Sequence, residues 1–152
     1  MINLMEKKFL NVHSKNDIVL IISLIIVGAI CLLLPLGSYA HIISFLLITL
    51  GIFLAFVMKS EYKEVSSGVR CKKKELFFQP NQKMAIQAAI ASNPEVIESP
   101  TSMSGNSIKL DIYYSLSAKK AYLQLFEYIP HRYETCSELY VHDIDSVKTL
   151  IL

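Results

Sequence analysis

The sequence predicts a membrane protein: a two-helix transmembrane hairpin joined to a small cytosolic α+β domain built on an antiparallel β-hairpin or meander. Three observations carry that prediction. Two long apolar runs stand next to each other with only a short break between them. Further on, a short stretch has helical apolar spacing between a capping residue and a proline. After it the apolar period becomes two, the spacing of half-buried strands. Of the 152 residues 53% are hydrophobic, and the excess is concentrated in the two runs rather than spread along the chain.

Residues 1–17 carry Lys7, Lys8 and Lys15 and read as a short cytosolic leader. The hairpin occupies 18–58. Its first run, 18–36, has nineteen residues without a charge, and its second, 39–58, has twenty without Asp, Glu, Lys or Arg. As helices rising about 1.5 Å per residue, each is roughly 28–30 Å long, close to the hydrocarbon thickness of a bilayer. Inside lipid the backbone must satisfy its own hydrogen bonds, which two spanning helices do. The bend from Gly37 to His41 has no Lys or Arg, whereas three basic residues precede the first run. Lys59, Lys63, Arg70, Lys72, Lys73 and Lys74 follow the second. This asymmetry predicts both termini on the cytoplasmic side. A cleaved signal peptide ending near Ser38-Tyr39-Ala40 is the rival reading, but the first run is too long for one and a second run follows at once. Gly51 with Ala55, and Gly28 with Ala29, are close-approach points. They are expected to pack the two helices of one hairpin together rather than to dimerise two chains. Pro35 is expected in the last turn of the first helix.

Residues 59–80 read as a basic connector, with a short strand at Glu75–Phe78 before Pro80. Residues 81–152 form the cytosolic α+β domain. Asn81 is the expected N-cap of a helix through Ser92, closed by Asn93-Pro94, with Ile86, Ala89 and Ile90 on its buried side. Glu95–Glu98 is a candidate strand and Ser99–Asn106 a loop. Ile108, Leu110 and Ile112 alternate with Lys109, Asp111 and Tyr113. After a turn at Ser115–Lys119, Leu123 and Leu125 alternate with Tyr122, Gln124 and Phe126. A β-hairpin is the expected result. Glu138–His142 is a third strand, and Asp143 or Asp145 caps a final short helix through Ile151.

The charge balance excludes some functions. The net charge is +2, and from Lys59 onward twelve Lys and Arg face eleven Asp and Glu. That is too near neutral to predict nucleic acid as a partner, and no stacking aromatics interleave the lysines. Three cysteines, one of them inside an apolar run, make no disulfide framework and suit a reducing compartment. The most chemical-looking stretch is His131 to Asp145. It lacks the metal-ligand spacings, so a zinc site from Cys71, His131, Cys136 and His142 is not expected, nor is a Cys136-His142 nucleophile pair. Only Gly68 and Gly105 lie in the soluble part, and no phosphate loop is formed. No cofactor, metal or catalytic set is therefore predicted.

Two surfaces stand out. Arg70, Lys72, Lys73 and Lys74 are candidates for anionic lipid headgroups, each charge worth about 1 kcal/mol near a cytoplasmic leaflet. Tyr122, Gln124 and Phe126 point away from Leu123 and Leu125 and are expected to form a partner-binding face. The predicted function is a non-enzymatic integral protein of the bacterial inner membrane. Its domain docks a membrane or cytosolic protein, or a second copy of itself, in a membrane complex. The alternative is a membrane-disrupting or pore-forming effector gated by its cytosolic domain. The lack of any charge inside the runs argues against a hydrophilic pore.

Overall fold

The structure, a computed structural model, describes residues 8–35, 37–97 and 108–152. The first residues of the expected leader and the loop at Ser99–Asn106 lie outside the described residues. Asn11–Glu61 forms one compact unit; Tyr62–Leu152, with Lys8–Leu10, forms the other, and the division falls within two strands, Phe9–Val12 and Glu61–Glu64.

The first unit holds two helices long and apolar enough to cross a membrane, α1 (Lys15–Leu33) and α2 (Ser38–Val57). The first starts three residues earlier than the apolar run because Ser14 and Asp17 make a capping box. The Ser14 hydroxyl accepts from the Asp17 amide at 3.0 Å, and the Asp17 carboxylate accepts from the Ser14 amide at 2.8 Å. It also ends earlier than expected. Leu34 leaves the helix with ψ of 140°, as the residue before a proline does, so Pro35 lies beyond the last turn. Gly37, at φ +87°, makes the bend into α2.

The small residues bring α1 and α2 together. A Cβ on Gly28 would sit 2.7 Å from Ile48 Cγ1 and 3.0 Å from the Ser44 carbonyl oxygen, and one on Gly51 would sit 2.7 Å from Ile25 Cγ1. Both glycines are thus used inside one hairpin, as the sequence predicts. At the open end of the hairpin Asp17 Oδ2 also accepts from the Ser60 amide at 3.1 Å and the Ser60 hydroxyl at 2.7 Å. His13 Nδ1 lies 2.5 Å from the Met58 carbonyl oxygen. The residue read as the end of a leader is therefore the clasp that ties the two ends of the hairpin.

The second unit is α+β, with a seven-stranded antiparallel sheet. Its strands are β1 (Phe9–Val12), β2 (Glu61–Glu64), β3 (Arg70–Phe78), β4 (Ile108–Ser115), β5 (Lys120–Ile129), β6 (Arg132–Thr135) and β7 (Tyr140–Asp143). They pair in that order through β6, and β7 pairs with the first half of β5, Leu123 opposite Tyr140. The helices are α3 (Lys83–Ser92) and α4 (Lys148–Ile151). The β4–β5 hairpin matches the expected one, running from Ile108 opposite Glu127 to Ser115 opposite Lys120.

Four expectations change. Phe9–Val12 is a strand rather than part of a leader. The connector is two strands, β2 and β3, joined by a turn in which Gly68 takes φ +71°. Pro94–Val96 is a turn of 3-10 helix in place of a strand; Pro94 has no amide to donate to a ladder, and the Asn93 side chain accepts from the Glu95 amide. The helix is preceded by a 3-10 turn at Pro80–Gln82 capped reciprocally by Gln79 and Gln82, so Asn81 is not its N-cap.

One face of the sheet carries Leu76, Phe78, Ile108, Leu110, Ile112, Leu123 and Leu125, all buried beneath Ile86 and Ile90 of α3 and beneath Val147 and Leu150. The other face has a core of its own: Phe9, Cys71, Tyr113, Tyr122 and Phe126. In pairing order β1 is three strands from β4, about 14 Å along a flat sheet. Yet the Phe9 ring stacks on Tyr113 at 4.5 Å. The sheet therefore curls, and its first strand folds over its own second face.

Candidate functional site

The second face of the sheet is where the chain concentrates its unusual chemistry. Cross-strand register builds it. Lys73 lies opposite Tyr113, Glu75 opposite Asp111 and Phe77 opposite Lys109, and on the next strand Tyr122, Gln124 and Phe126 lie opposite Tyr113, Asp111 and Lys109.

Its first half is aromatic. Phe9 stacks on Tyr113 and meets Tyr122 edge-on at 5.1 Å, while Tyr62 packs edge-on against Tyr113 at 4.8 Å. The Tyr122 hydroxyl donates to Glu64 at 2.9 Å, and Glu64 pairs with Lys8 at 3.3 Å. Burial pushes the Tyr113 and Tyr122 phenols up to about 12, with the bond to Glu64 adding to the effect at Tyr122. Burial likewise pushes the Cys71 thiol up to about 11, helped by the Glu64 charge. Burial alone would raise Glu64, but bonds from Ser67, Tyr122 and Lys8 outweigh it and hold the carboxyl below its usual value.

Its second half is an ion network. Lys73 pairs with Glu75 and, at 3.0 Å, with Asp111; Lys109 pairs with Asp111 at 3.2 Å and with Glu75 at 3.8 Å. The Lys109 ammonium also lies 4.8 Å from the Phe126 ring centre and 5.2 Å from that of Tyr133. Burial works to lower the Lys73 pKa, but the bonds to Glu75 and Asp111 prevail and hold it above the ordinary lysine value. Burial likewise opposes the ionised Glu75, yet Lys73 keeps its carboxyl low. Buried Asp111 Oδ1 makes no hydrogen bond, and its compensation is the Lys109 charge.

Burial thus favours the neutral forms of the Cys71 thiol and the two phenols, while the ion pairs favour charged Lys73. Two ammonium and two carboxylate groups compensate one another in a partly buried charge network. Among the described residues no three His, Cys, Asp or Glu side chains are grouped to hold a metal.

The expected partner-binding residues fall elsewhere than on a surface. Tyr122, Gln124 and Phe126 are 5%, 0% and 3% exposed. Alternation does send them away from Leu123 and Leu125, but the chain's own β1 and β2 and the ion network cover them. The basic cluster is also divided. It begins β3, so its side chains alternate: Arg70, Lys72 and Lys74 point one way and Lys73 the other. Arg70 and Lys72 are exposed, Lys73 is committed to the ion network, and Lys74 donates to the Ile151 carbonyl at 2.9 Å. The four do not form one patch. Cys71 belongs to the second face while Cys136 packs against the first, so the sheet separates them. His142 Nε2 lies 2.7 Å from the Ile90 carbonyl oxygen, tying β7 to α3.

Sequence reasoning missed Phe9, Glu64, Lys109 and Asp111. The signal for the last two was the charge at alternate positions of a confidently read strand. For Phe9 it was only the short β-rich run Phe9-Leu10-Asn11-Val12. On the helix side, Phe78, Gln82, Ala85, Ile86, Ala89, Val96 and Ile97 line an apolar cavity of about 200 Å³. Its one polar side chain, Gln82, already accepts from the Gln79 amide, so no convergent polar groups orient a ligand there. No family of known proteins, no curated protein and no solved structure matches this chain.

Proposed function

We propose that the chain is a non-enzymatic integral protein of the bacterial inner membrane, with α1 and α2 spanning the bilayer and both termini in the cytosol. The α+β unit then docks a protein partner, or a second copy, within a membrane complex. The observation that supports the reading most is what α1 and α2 leave uncovered. Only 17% and 11% of their most apolar stretches is buried, whereas the core helix of a soluble protein is mostly buried. Phe45, Phe56 and Leu33 stand exposed, which water disfavours and lipid tails do not. The hydroxyls of Ser23, Ser44 and Thr49 donate to carbonyls of their own helices, so they add no polar line of the kind a pore needs. That favours an anchor over the pore-forming alternative. Arg70 and Lys72 are the exposed members of the basic cluster and the candidates for contact with anionic headgroups. The docking surface of this reading is not the face of Tyr122, Gln124 and Phe126.

The test is fractionation and cross-linking in native membranes. The chain should resist carbonate extraction and cross-link to a defined protein species. Release by carbonate would overturn the membrane reading, and conductance by the purified chain in planar bilayers would favour the effector.

A further inference from the structure

Both strands at one edge of the sheet run almost directly into the apolar helices. Only His13 and Ser14 separate β1 from α1, and only Met58, Lys59 and Ser60 separate α2 from β2. Two residues, even fully extended, reach about 7 Å, and His13 and Asp17 tie this end of α1 to Met58 and Ser60, so a movement of the α1 end that breaks those bonds finds little slack before β1. The attachment of β1 to the domain is light. The strand is four residues long at the end of the pairing order, and Phe9 is its one buried side chain, with Leu10 and Asn11 exposed. Around it stand a lysine–glutamate pair with Lys8 partly in solvent, the Lys8 ammonium 4.5 Å from the Tyr122 ring centre, and a bond from the Val65 amide to the Lys8 carbonyl. Short edge elements with few buried contacts open first. What Phe9 packs on is the opposite in character: two buried tyrosine rings, in the same small core as the buried Cys71 thiol.

We propose that β1 is a releasable strap: displacement of the first apolar helix withdraws Phe9 from the second face and uncovers Tyr113, Tyr122 and Cys71. The coupling rests on the membrane reading above; the covering does not. The device turns a change in the bilayer, such as thickness or lateral packing, into exposure of an aromatic surface. Mismatch between a span and its bilayer is relieved in part by tilting, the movement that would pull on the strap.

The chain carries its own reporter. Cys71 is buried in the same small core as Phe9, and Val147→Cys places a thiol in the other core at a fully buried position, so in a Cys31→Ala, Cys136→Ala background their maleimide labelling rates separate local release from unfolding. In detergent, Phe9→Ala in the full chain should speed Cys71 labelling roughly tenfold or more and leave the Val147→Cys thiol unchanged. Acceleration of both together would mean that Phe9 is ordinary core, and acceleration of neither that it covers nothing; each overturns the strap. In phosphatidylcholine vesicles with hydrocarbon cores of about 27 and about 33 Å, the Cys71 rate of the otherwise unaltered reporter chain should differ between the two while the Val147→Cys rate stays constant. Insertion of Gly-Gly-Ser after Val12 should abolish that difference. Equal Cys71 rates in both vesicles overturn the coupling even if the detergent result holds. Failure to insert into vesicles at all removes the membrane reading and the coupling with it, leaving the detergent result to stand alone.

Discussion

Replacing Phe126 by alanine tests whether the second face of the sheet is core. The ring is 3% exposed and has the Lys109 ammonium 4.8 Å from its centre. Truncating a buried phenylalanine costs about 3–5 kcal/mol, and loss of the cation–ring contact adds about 0.5–1 kcal/mol. A domain of this size has about 5–15 kcal/mol in all, so the substitution removes a large share. With a urea slope of about 1.5 kcal/mol per molar, the midpoint should fall by about 2 M or more. The chain has no tryptophan, and seven of its eight tyrosines follow residue 61, so near-ultraviolet tyrosine dichroism of the detergent-solubilised protein reports the α+β unit. Tyr122→Phe is the companion change. It keeps the ring and deletes only the bond to Glu64, and should cost about 1.5–3 kcal/mol, as for a hydrogen bond to a charged group. An unchanged midpoint for Phe126→Ala would refute the reasoning: the ring would then face solvent or a partner, with the second core absent.

Gly28→Leu should splay the hairpin, because even a Cβ there meets Ile48 and the Ser44 carbonyl. Spin-label distances between α1 and α2 should lengthen, while Ala29→Leu, on an exposed position, should leave them unchanged. Asp111→Asn should cost about 1–3 kcal/mol, since it leaves two half-buried ammonium groups with one carboxylate; an unaltered urea midpoint would contradict the network. Stability should fall at both ends of the pH scale. Glu64 and Glu75 have folded pKa values below the ordinary 4.5, so their contribution is present above that value and lost as acid protonates them. Tyr113 and Tyr122 are raised from 10 to about 12, so theirs is full below 10 and lost as the pH rises toward 12. Thermal midpoints across pH check both limbs, and Tyr122→Phe should weaken the alkaline one.

How much of this was legible depended on whether a pattern was long enough to rise above its neighbours. The two apolar runs, the α3 segment closed by Asn93-Pro94 and the alternation on both sides of Ser115–Lys119 are each long, and each produced the element read from it. Phe9–Val12 and Glu61–Glu64 are four residues each, too short for alternation to show, and they adjoin the apolar runs that dominate that part of the chain. β3 was hidden differently. Its first five residues contain four cations, which resemble a solvated connector, although Cys71, Lys73, Glu75 and Phe77 alternate with Lys72, Lys74, Leu76 and Phe78. The error at Tyr122, Gln124 and Phe126 followed from these omissions. Alternation gave their direction correctly, but what lay in that direction was set by a strand more than a hundred residues earlier, and no local pattern holds that information. Alternating charge marked Asp111, but its burial was not readable, because its companions Lys73 and Glu75 come from a strand that had been read as connector.

The proposed role requires the hairpin to span a bilayer with both ends on one side. Impermeant thiol labelling of single-cysteine variants in intact cells tests this most directly. Ser38→Cys, at the bend, should be labelled at once. Lys72→Cys, an exposed position preferable to buried Cys71, and native Cys136 should be labelled only after permeabilisation. Labelling of Lys72→Cys or Cys136 in intact cells, or protection of Ser38→Cys until permeabilisation, would contradict it.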